Sequence, residues 1–217
     1  MPSPTLSDKV MTLIRQDILT GDLPPGHKLV VADLKARYNV GASPIREALV
    51  QLSWHKYVHF APQKGCWVAP VSASELEDLF DTSLELSRIL LQRAIKYGDE
   101  AWELNVLTSY HKLKRLNPAD PKSDFTEWEQ RHGEFHQALL AGSRSPSLLA
   151  LHRQVYEQVE RYRHIWVNRH RQYEERYHEN GEHEAIMNAV LGRNSQQALS
   201  LLNTHSQRAI DMIKRYL

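Results

Sequence analysis

The stretch ADLKARYNVGASPIREALVQL, residues 32–52, decides the fold. It reads as two short helices around a tight turn. The first runs from about Val31 to Tyr38. Asn39 tolerates the left-handed conformation in which helices often end, and Val40 points back to the core of the turn. The second starts at about Ser43, whose hydroxyl can cap free N–H groups, with Pro44 at the first helical position. Its inward stripe is Ile45, Leu49 and Leu52. Upstream, Leu6, Val10, Leu13, Ile14, Ile18 and Leu19 repeat at helical spacing, and LPPG (Leu23 to Gly26) stops that helix. Downstream the period changes: 57–60 (YVHF) and 66–69 (CWVA) read as two strands joined by APQKG. Three helices and a hairpin describe a winged helix-turn-helix.

From Ser72 the pattern is helical throughout. Ser72 and Glu75 make a capping box. Helices are expected over roughly 73–97, 99–117, 124–141, 146–171, 174–192 and 195–215. The predicted fold is therefore mainly α. Residues 1–71 form a winged helix-turn-helix, and residues 72–217 form an all-α bundle for effector binding and dimerisation.

Composition agrees with a globular chain: 217 residues, 41% hydrophobic and 24% charged, long enough to bury a core without disulfides. Cys66 is the single cysteine, which excludes a disulfide framework or a CxxC knuckle. No apolar run approaches the roughly 20 residues of a membrane span, and no signal-type segment opens the chain. A cytoplasmic location without membrane association is expected. Net charge is +1, but residues 1–70 carry eight Lys/Arg against five Asp/Glu, a mildly basic front on an acidic body.

A helix-turn-helix places the first turn of its last helix nearest the base edges. Ser43 suits a phosphate or a base, and Arg46 a guanine or a phosphate. Lys35 and Arg37 suit the backbone, and Lys64 and Gly65 the wing tip at a minor groove.

The chain holds twelve histidines, nine of them after residue 70. At helical periodicity Phe125, Trp128, His132, Phe135, His136, Leu139 and Leu140 share one face. His183 lies in a stripe with Ile186, Met187 and Val190. His205 lies among Ala198, Leu201, Leu202, Ala209 and Met212. Four histidines thus point from three helices into one core, where neutral imidazoles are costly without partners. A divalent cation can satisfy them jointly. On the helix through Val155, Val159, Tyr162 and Trp166, Arg163 sits toward the apolar side and Arg161 toward solvent. Arg163 can hold a small carboxylate, with Tyr162 and Trp166 as pocket wall. The alternative is that Tyr162 and Trp166 are core and Arg163 pairs with an acid.

The runs ILTGDLPPGHKL (18–29), PIREAL (44–49) and QKGCWVAPVS (63–72) resemble the GntR family of bacterial transcription regulators, and the remainder resembles its FCD subfamily. EWEQRHGEFHQALLAGSRS (127–145) and ERYRHIW (160–166) are most similar to enterobacterial regulators of γ-aminobutyrate and glutarate use. The resemblance implies a metal held by one aspartate and three histidines. His136, His183 and His205 match the histidines, and His132 stands at the aspartate's position. That exchange shifts preference toward zinc or nickel; otherwise His132 stays out and three histidines bind. The family's Ser-Arg-Thr run is Gly41-Ala42-Ser43 here, so its first operator-reading arginine is missing and its second survives as Arg46. Ser83 and Ser87 replace an arginine and a glutamate of the family.

The expected protein is a ligand-responsive regulator, a repressor by the family's commoner mode. It binds operator DNA as a homodimer, because one winged helix reads too few base pairs. Its effector is a small carboxylate, such as the dicarboxylate glutarate, at or near a His-held metal. The alternative is a metal-sensing regulator in which the ion is itself the effector. A metallo-enzyme is disfavoured: His183-Glu184 lacks the second histidine of HExxH.

Overall fold

A computed structural model describes residues 3–117, 125–170 and 181–215. The described residues form two compact units. One runs up to Leu79 and includes the stretch of a later helix from Tyr156; the other begins at Phe80.

In the first unit, α1 (Leu6–Thr20) opens with a capping box. Asp8 N–H donates to Thr5 Oγ1 at 3.2 Å, and Thr5 N–H donates to Asp8 Oδ2 at 2.9 Å. Two of the helix's orphan donors are satisfied in this way. The helix ends at Gly21, whose φ of 86° is open to a residue without Cβ. α2 (Val31–Tyr38) closes on Asn39 at φ 52°, ψ 49°, the left-handed cap read from the sequence. α3 (Ala42–Trp54) is capped by the extended Gly41, without a side-chain bond. This corrects the role given to Ser43 and Pro44. The helix begins one residue early, Pro44 is its third residue, and Ser43 Oγ donates instead to Glu47 Oε1 at 3.0 Å. Pro44 still sits in the first turn, where a missing N–H breaks no helical bond.

The wing has a strand that periodicity did not reveal. β1 (Lys28–Leu29) joins β2 (Val58–Ala61) and β3 (Gly65–Val68) in an antiparallel sheet of order β1-β3-β2. Two residues are too short to show an alternation. Leu29, Val58, Cys66 and Val68 turn inward onto Val10, Ile14, Ile18, Leu34, Ile45, Leu49 and Leu52. Burial pushes the Cys66 thiol up to about 11, so it stays protonated.

The remaining helices are α4 (Ala73–Tyr97), α5 (Glu100–Leu113), α6 (Phe125–Ala141), α7 (Pro146–His170), α8 (Glu182–Leu191) and α9 (Ser195–Lys214). α5 ends four residues before the expected 117. α8 starts at Glu182, behind Gly181 with φ 74°; the part of that expectation over 174–180 lies outside the described residues. The second unit's core includes Leu90, Leu91, Trp102, Val106, Phe135, Leu139, Ile186, Val190, Ala198 and Leu202. Its tightest point is the Trp102 indole, whose Nε1–H donates to Ala138 O at 2.9 Å. Gly98 and Gly142 lie against this ring. A Cβ on Gly98 would fall 2.1 Å from an indole carbon, and one on Gly142 2.9 Å.

Gly98→Ala should therefore lower stability by about 1–3 kcal/mol, the usual cost of overpacking. Thermal unfolding of the two chains checks this. An unchanged midpoint would mean that Trp102 yields freely.

Candidate functional site

The helix-turn-helix presents its polar residues outward. Lys35, Ser43, Arg46, Lys64 and Gly65 are all exposed. Lys64 follows the tight tip at Gln63 (φ 60°) and precedes Gly65 (φ 120°). Arg37 is exposed but partly occupied. Its Nε lies 2.6 Å from Asp17 Oδ2, and that carboxylate also accepts the Tyr38 hydroxyl at 2.6 Å. Asp17 raises the affinity of Arg37 for its proton, and the pair ties α2 to the end of α1. One row of the wing escaped the sequence reading because β1 did. Lys28 and His59 both stand opposite Trp67 in register. Lys28 Nζ lies 5.6 Å from the indole centroid, and the His59 ring stacks 5.9 Å from it. Alternation along β2 and β3 marks His59 and Trp67, but nothing local marks Lys28.

The four histidines expected to converge do so. α6 supplies His132 and His136 one turn apart, α8 supplies His183, and α9 supplies His205. One ligating nitrogen from each lies within 4.8 Å of the others. His132, His183 and His205 are buried and His136 is half-buried. Trp128 stacks on His132 with centroids 4.9 Å apart, and Phe135 lies 5.5 Å from both His136 and His183.

The donor set fits a metal. His132 Nε2 and His136 Nε2 are 3.1 Å apart. Nitrogens at about 2.0–2.1 Å from an ion stand roughly 3.0–3.4 Å apart when they hold adjacent positions. All four donors are imidazole nitrogens, the set that suits zinc, nickel or copper better than calcium or magnesium. The sequence reading missed one neighbour. Glu182 Oε2 lies 2.8 Å from His205 Nδ1, and Arg208 binds the same carboxylate through Oε1. The His205 hydrogen bond holds the Glu182 carboxyl below the ordinary carboxylate range. Glu182 lies inside the helix expected over 174–192, where an acid looks like an ordinary surface group, so its contact across to α9 left no local signal.

The α7 residues behave differently from the expectation. Arg161 does not face solvent; it is 3% exposed. Its Nη1 donates to Lys56 O at 2.8 Å, and its Nη2 to Pro70 O at 3.3 Å and Glu75 Oε2 at 3.1 Å. The helical wheel assumed one buried side. In the first unit, α7 is also covered on the opposite side, by the turn after α3 and by the start of α4. Tyr162 is fully buried, and its hydroxyl donates to Glu75 and accepts from Ser72 N–H. Burial and Glu75 push that phenol up to about 12. The capping box at Ser72 is thus half-formed. Glu75 N–H donates to Ser72 Oγ at 3.1 Å, while the Glu75 carboxylate serves Arg161 and Tyr162. Arg163 Nη1 donates to Tyr156 Oη at 3.2 Å. Arg163 and Tyr162 belong to the first unit and the histidines to the second. The Trp166 side chain lies outside the described residues.

Ser83 and Ser87, the departures on α4, bring no charge to that helix. Ser83 is buried, and Ser87 Oγ lies 2.9 Å from His152 Nε2. Burial depresses His152 to about 4.

A helix-turn-helix with an outward-facing polar α3 and a wing, beside a helical unit with a histidine cluster, defines a DNA-binding transcription regulator. Residues 6–68 match the bacterial regulatory proteins of the gntR family, and residues 78–208 match the FCD domain. The chain belongs to the GntR family and carries its FCD domain; it is a regulator and not an enzyme. The HTH-type transcriptional repressor GlaR of Escherichia coli K12 is 34% identical over 204 residues, which is 93% of each chain. The HTH-type transcriptional regulator BphR of Paraburkholderia xenovorans LB400 is 32% identical over 98% of this chain and 86% of its own. Among solved structures, Escherichia coli McbR/YncC superposes with TM-score 0.75 at 18% identity, covering 98% of both chains. A GntR regulator from Rhodococcus sp. RHA1 gives 0.70 at 22%, covering 97% of this chain and 98% of its own. These two show the shared fold. Among the described residues no helix is long and apolar enough to cross a membrane.

Two outcomes follow from the buried polar groups. Arg161→Met removes the guanidinium donor from the Glu75 carboxylate, which keeps the Tyr162 hydroxyl, and from two carbonyls. It should lower the first unfolding midpoint, at a cost of about 1–3 kcal/mol per stranded group at most; scanning calorimetry reads it. For His152 the sign is that of a histidine buried neutral. Its folded pKa of about 4 lies below the ordinary 6.5, so the unfolded chain binds the extra proton. Stability falls as pH drops from about 6.5 to 4, by on the order of 3 kcal/mol from this group. His152→Gln should flatten that part of the urea-midpoint profile; an unaltered slope would contradict the assignment.

Proposed function

We propose that this chain is an effector-responsive repressor. It binds a palindromic operator as a homodimer and releases it when a small carboxylate enters the helical domain. The observation that carries the reading is the convergence of His132, His136, His183 and His205. Beside a DNA-binding unit, a cluster with metal-binding geometry has a sensing role to play. The repressing sign is supported by the relative named a repressor. The place of action is the cytoplasm, where the operator is.

On DNA, Arg46 and Ser43 approach base edges from the start of α3. Lys35 and Arg37 hold phosphates, and Lys64 and Gly65 follow the groove at the wing tip. In the helical domain the four imidazoles hold zinc or nickel. The bound ion supplies a Lewis-acidic position for a carboxylate oxygen. Four neutral ligands leave the ion's charge of two unbalanced, so an anionic effector is favoured over a neutral one. A dicarboxylate such as glutarate fits this charge and the resemblance of residues 127–145. Arg163, with Trp166, is the second place where a carboxylate can be held; Tyr162, fully buried with its hydroxyl engaged by Glu75 and Ser72, belongs to the core there. The effector changes operator affinity only through its different affinity for the DNA-competent and DNA-released arrangements.

A second reading is favoured by the completeness of the donor set. Four nitrogens already make a tetrahedral shell, so the ion itself can be the effector.

The test is thermal unfolding of the purified chain with C4–C6 mono- and dicarboxylates, metal-stripped and zinc-loaded, followed by operator release. A ligand bound only by the native state raises the midpoint by mass action. A shift that needs zinc supports the carboxylate-on-metal reading. A shift that survives stripping moves the effector to Arg163 and its neighbours. Zinc-driven DNA release with no response to any acid supports the metal sensor. On a site selected from random DNA, Arg46→Ala should cost about 1–3 kcal/mol and relax one base position. Lys64→Ala should weaken all sequences alike and shallow the salt dependence. Equal, salt-insensitive affinities would overturn the DNA assignment.

A further inference from the structure

Two of the cluster's residues sit on neighbouring positions of one helix turn, but only one is a metal ligand. His183 offers a ring nitrogen to the cluster, while Glu182, immediately before it, turns to α9. Glu182 Oε2 lies 2.8 Å from His205 Nδ1, and Arg208, three residues beyond His205, binds Oε1 of the same carboxylate. Both oxygens are therefore fixed. Glu182 is 17% exposed on its side chain and His205 6%, so this is a largely buried contact, where a charge-assisted bond is strong.

An imidazole has two nitrogens, and the hydrogen bond made by one sets the state of the other. A carboxylate on Nδ1 fixes the proton there and leaves the lone pair on Nε2. It also makes that lone pair more basic. At His205 that partner is the Glu182 carboxylate; Trp128 stacks on His132 and Phe135 packs against His136 and His183. The donor set itself carries no negative charge. Glu182 supplies one at the next distance out.

We infer that Glu182 is a positioning residue of the metal centre, holding His205 in the Nδ1–H tautomer that offers Nε2 to the ion, with Arg208 fixing the carboxylate. The inference rests on the reading of the four histidines as a metal site. It concerns a residue that is not itself a ligand, and its consequences are separable. Glu182→Gln keeps the side chain's length and an acceptor for Nδ1–H but loses the charge and sets an amide N–H₂ against Arg208. Glu182→Asp keeps the charge and shortens the reach.

The experiment is zinc competition against a chromophoric chelator on the full-length chain, for the wild type, Glu182→Gln, Glu182→Asp and His183→Ala. Long-range ¹⁵N spectra of the histidine rings accompany it. The wild type is expected to bind zinc, with His205 protonated on Nδ1 and Nε2 shifted on metal addition. Glu182→Gln is expected to bind about 10–100-fold more weakly, the usual loss for an outer partner, and its His205 signals should show mixed tautomers. Its metal-free melting curve serves as the folding control. Should Glu182→Gln fail to fold, Glu182→Asp carries the test, with the same tautomer change expected. Zinc affinity and tautomer unchanged in a folded Glu182 variant, with His183→Ala weakened, would overturn the inference and leave the metal site standing. A wild type that binds no zinc at micromolar concentration would overturn both.

Discussion

Four imidazoles, each with a ligating nitrogen within 4.8 Å of the others, impose the constraint on which the helical unit depends. Adjacent nitrogen lone pairs repel unless a proton or a cation lies between them, and a proton can serve only one pair. The neighbours reinforce the demand. Trp128 and Phe135, buried against the imidazoles, keep the surroundings of the cluster largely apolar. The Glu182 carboxylate is already engaged by His205 and Arg208. A cation shared by all four rings satisfies the geometry in one step. The rest of the unit then reads as support. The close packing of Trp102 against Gly98 and Gly142, and the α5–α6 core, hold α6 at a fixed rotation so that His132 and His136 face α8 and α9.

In the first unit a single cation does comparable work. Arg161 joins the end of the turn after α3, the segment after β3, and α4, through Lys56 O, Pro70 O and Glu75. Tyr57 adds to it. Its hydroxyl accepts from Arg15 Nε at 3.0 Å and donates to Glu157 O at 3.3 Å. The attachment of the α7 stretch to the helix-turn-helix is thus polar and directional. Apolar faces can slide and repack at little cost. A guanidinium serving three fixed acceptors holds one arrangement and loses it all at once.

Much of this was legible in the sequence, for definite reasons. The Asn39 cap, the α3 stripe of Ile45, Leu49 and Leu52, and the phase of the four histidines follow from helical geometry alone, because each helix buries one face. The misreadings have equally physical causes. Lys28–Leu29 is too short to show a period, so the row of Lys28, Trp67 and His59 was invisible. Ser43 looked like a cap because its chemistry suits one, but the extended Gly41 let the helix begin earlier. Arg161 was assigned to solvent because a wheel drawn on Val159 and Tyr162 assumes one partner, whereas α7 has packing on two sides there. Glu182, inside the helix expected over 174–192, resembled an ordinary surface acid. Its function depends on a residue 23 positions away on another helix, which no local pattern encodes.

The charge balance of the cluster connects these observations to specificity. An aspartate at position 132 would cancel one of an ion's two charges at the ion itself. With an ion bound, His132 would cancel none, and Glu182 would cancel one only from behind His205. Part of the positive charge would then remain, inside a core of low polarity where it is poorly screened. On the proposed reading such a site would discriminate by charge before it discriminates by shape: carboxylates would gain from the uncompensated charge, and alcohols and amides of the same size would not. A histidine where the resemblance implies an aspartate would thus change more than the metal preference. It would leave the missing negative charge to the ligand, so that the centre's electrostatic balance would depend on whether an effector is bound.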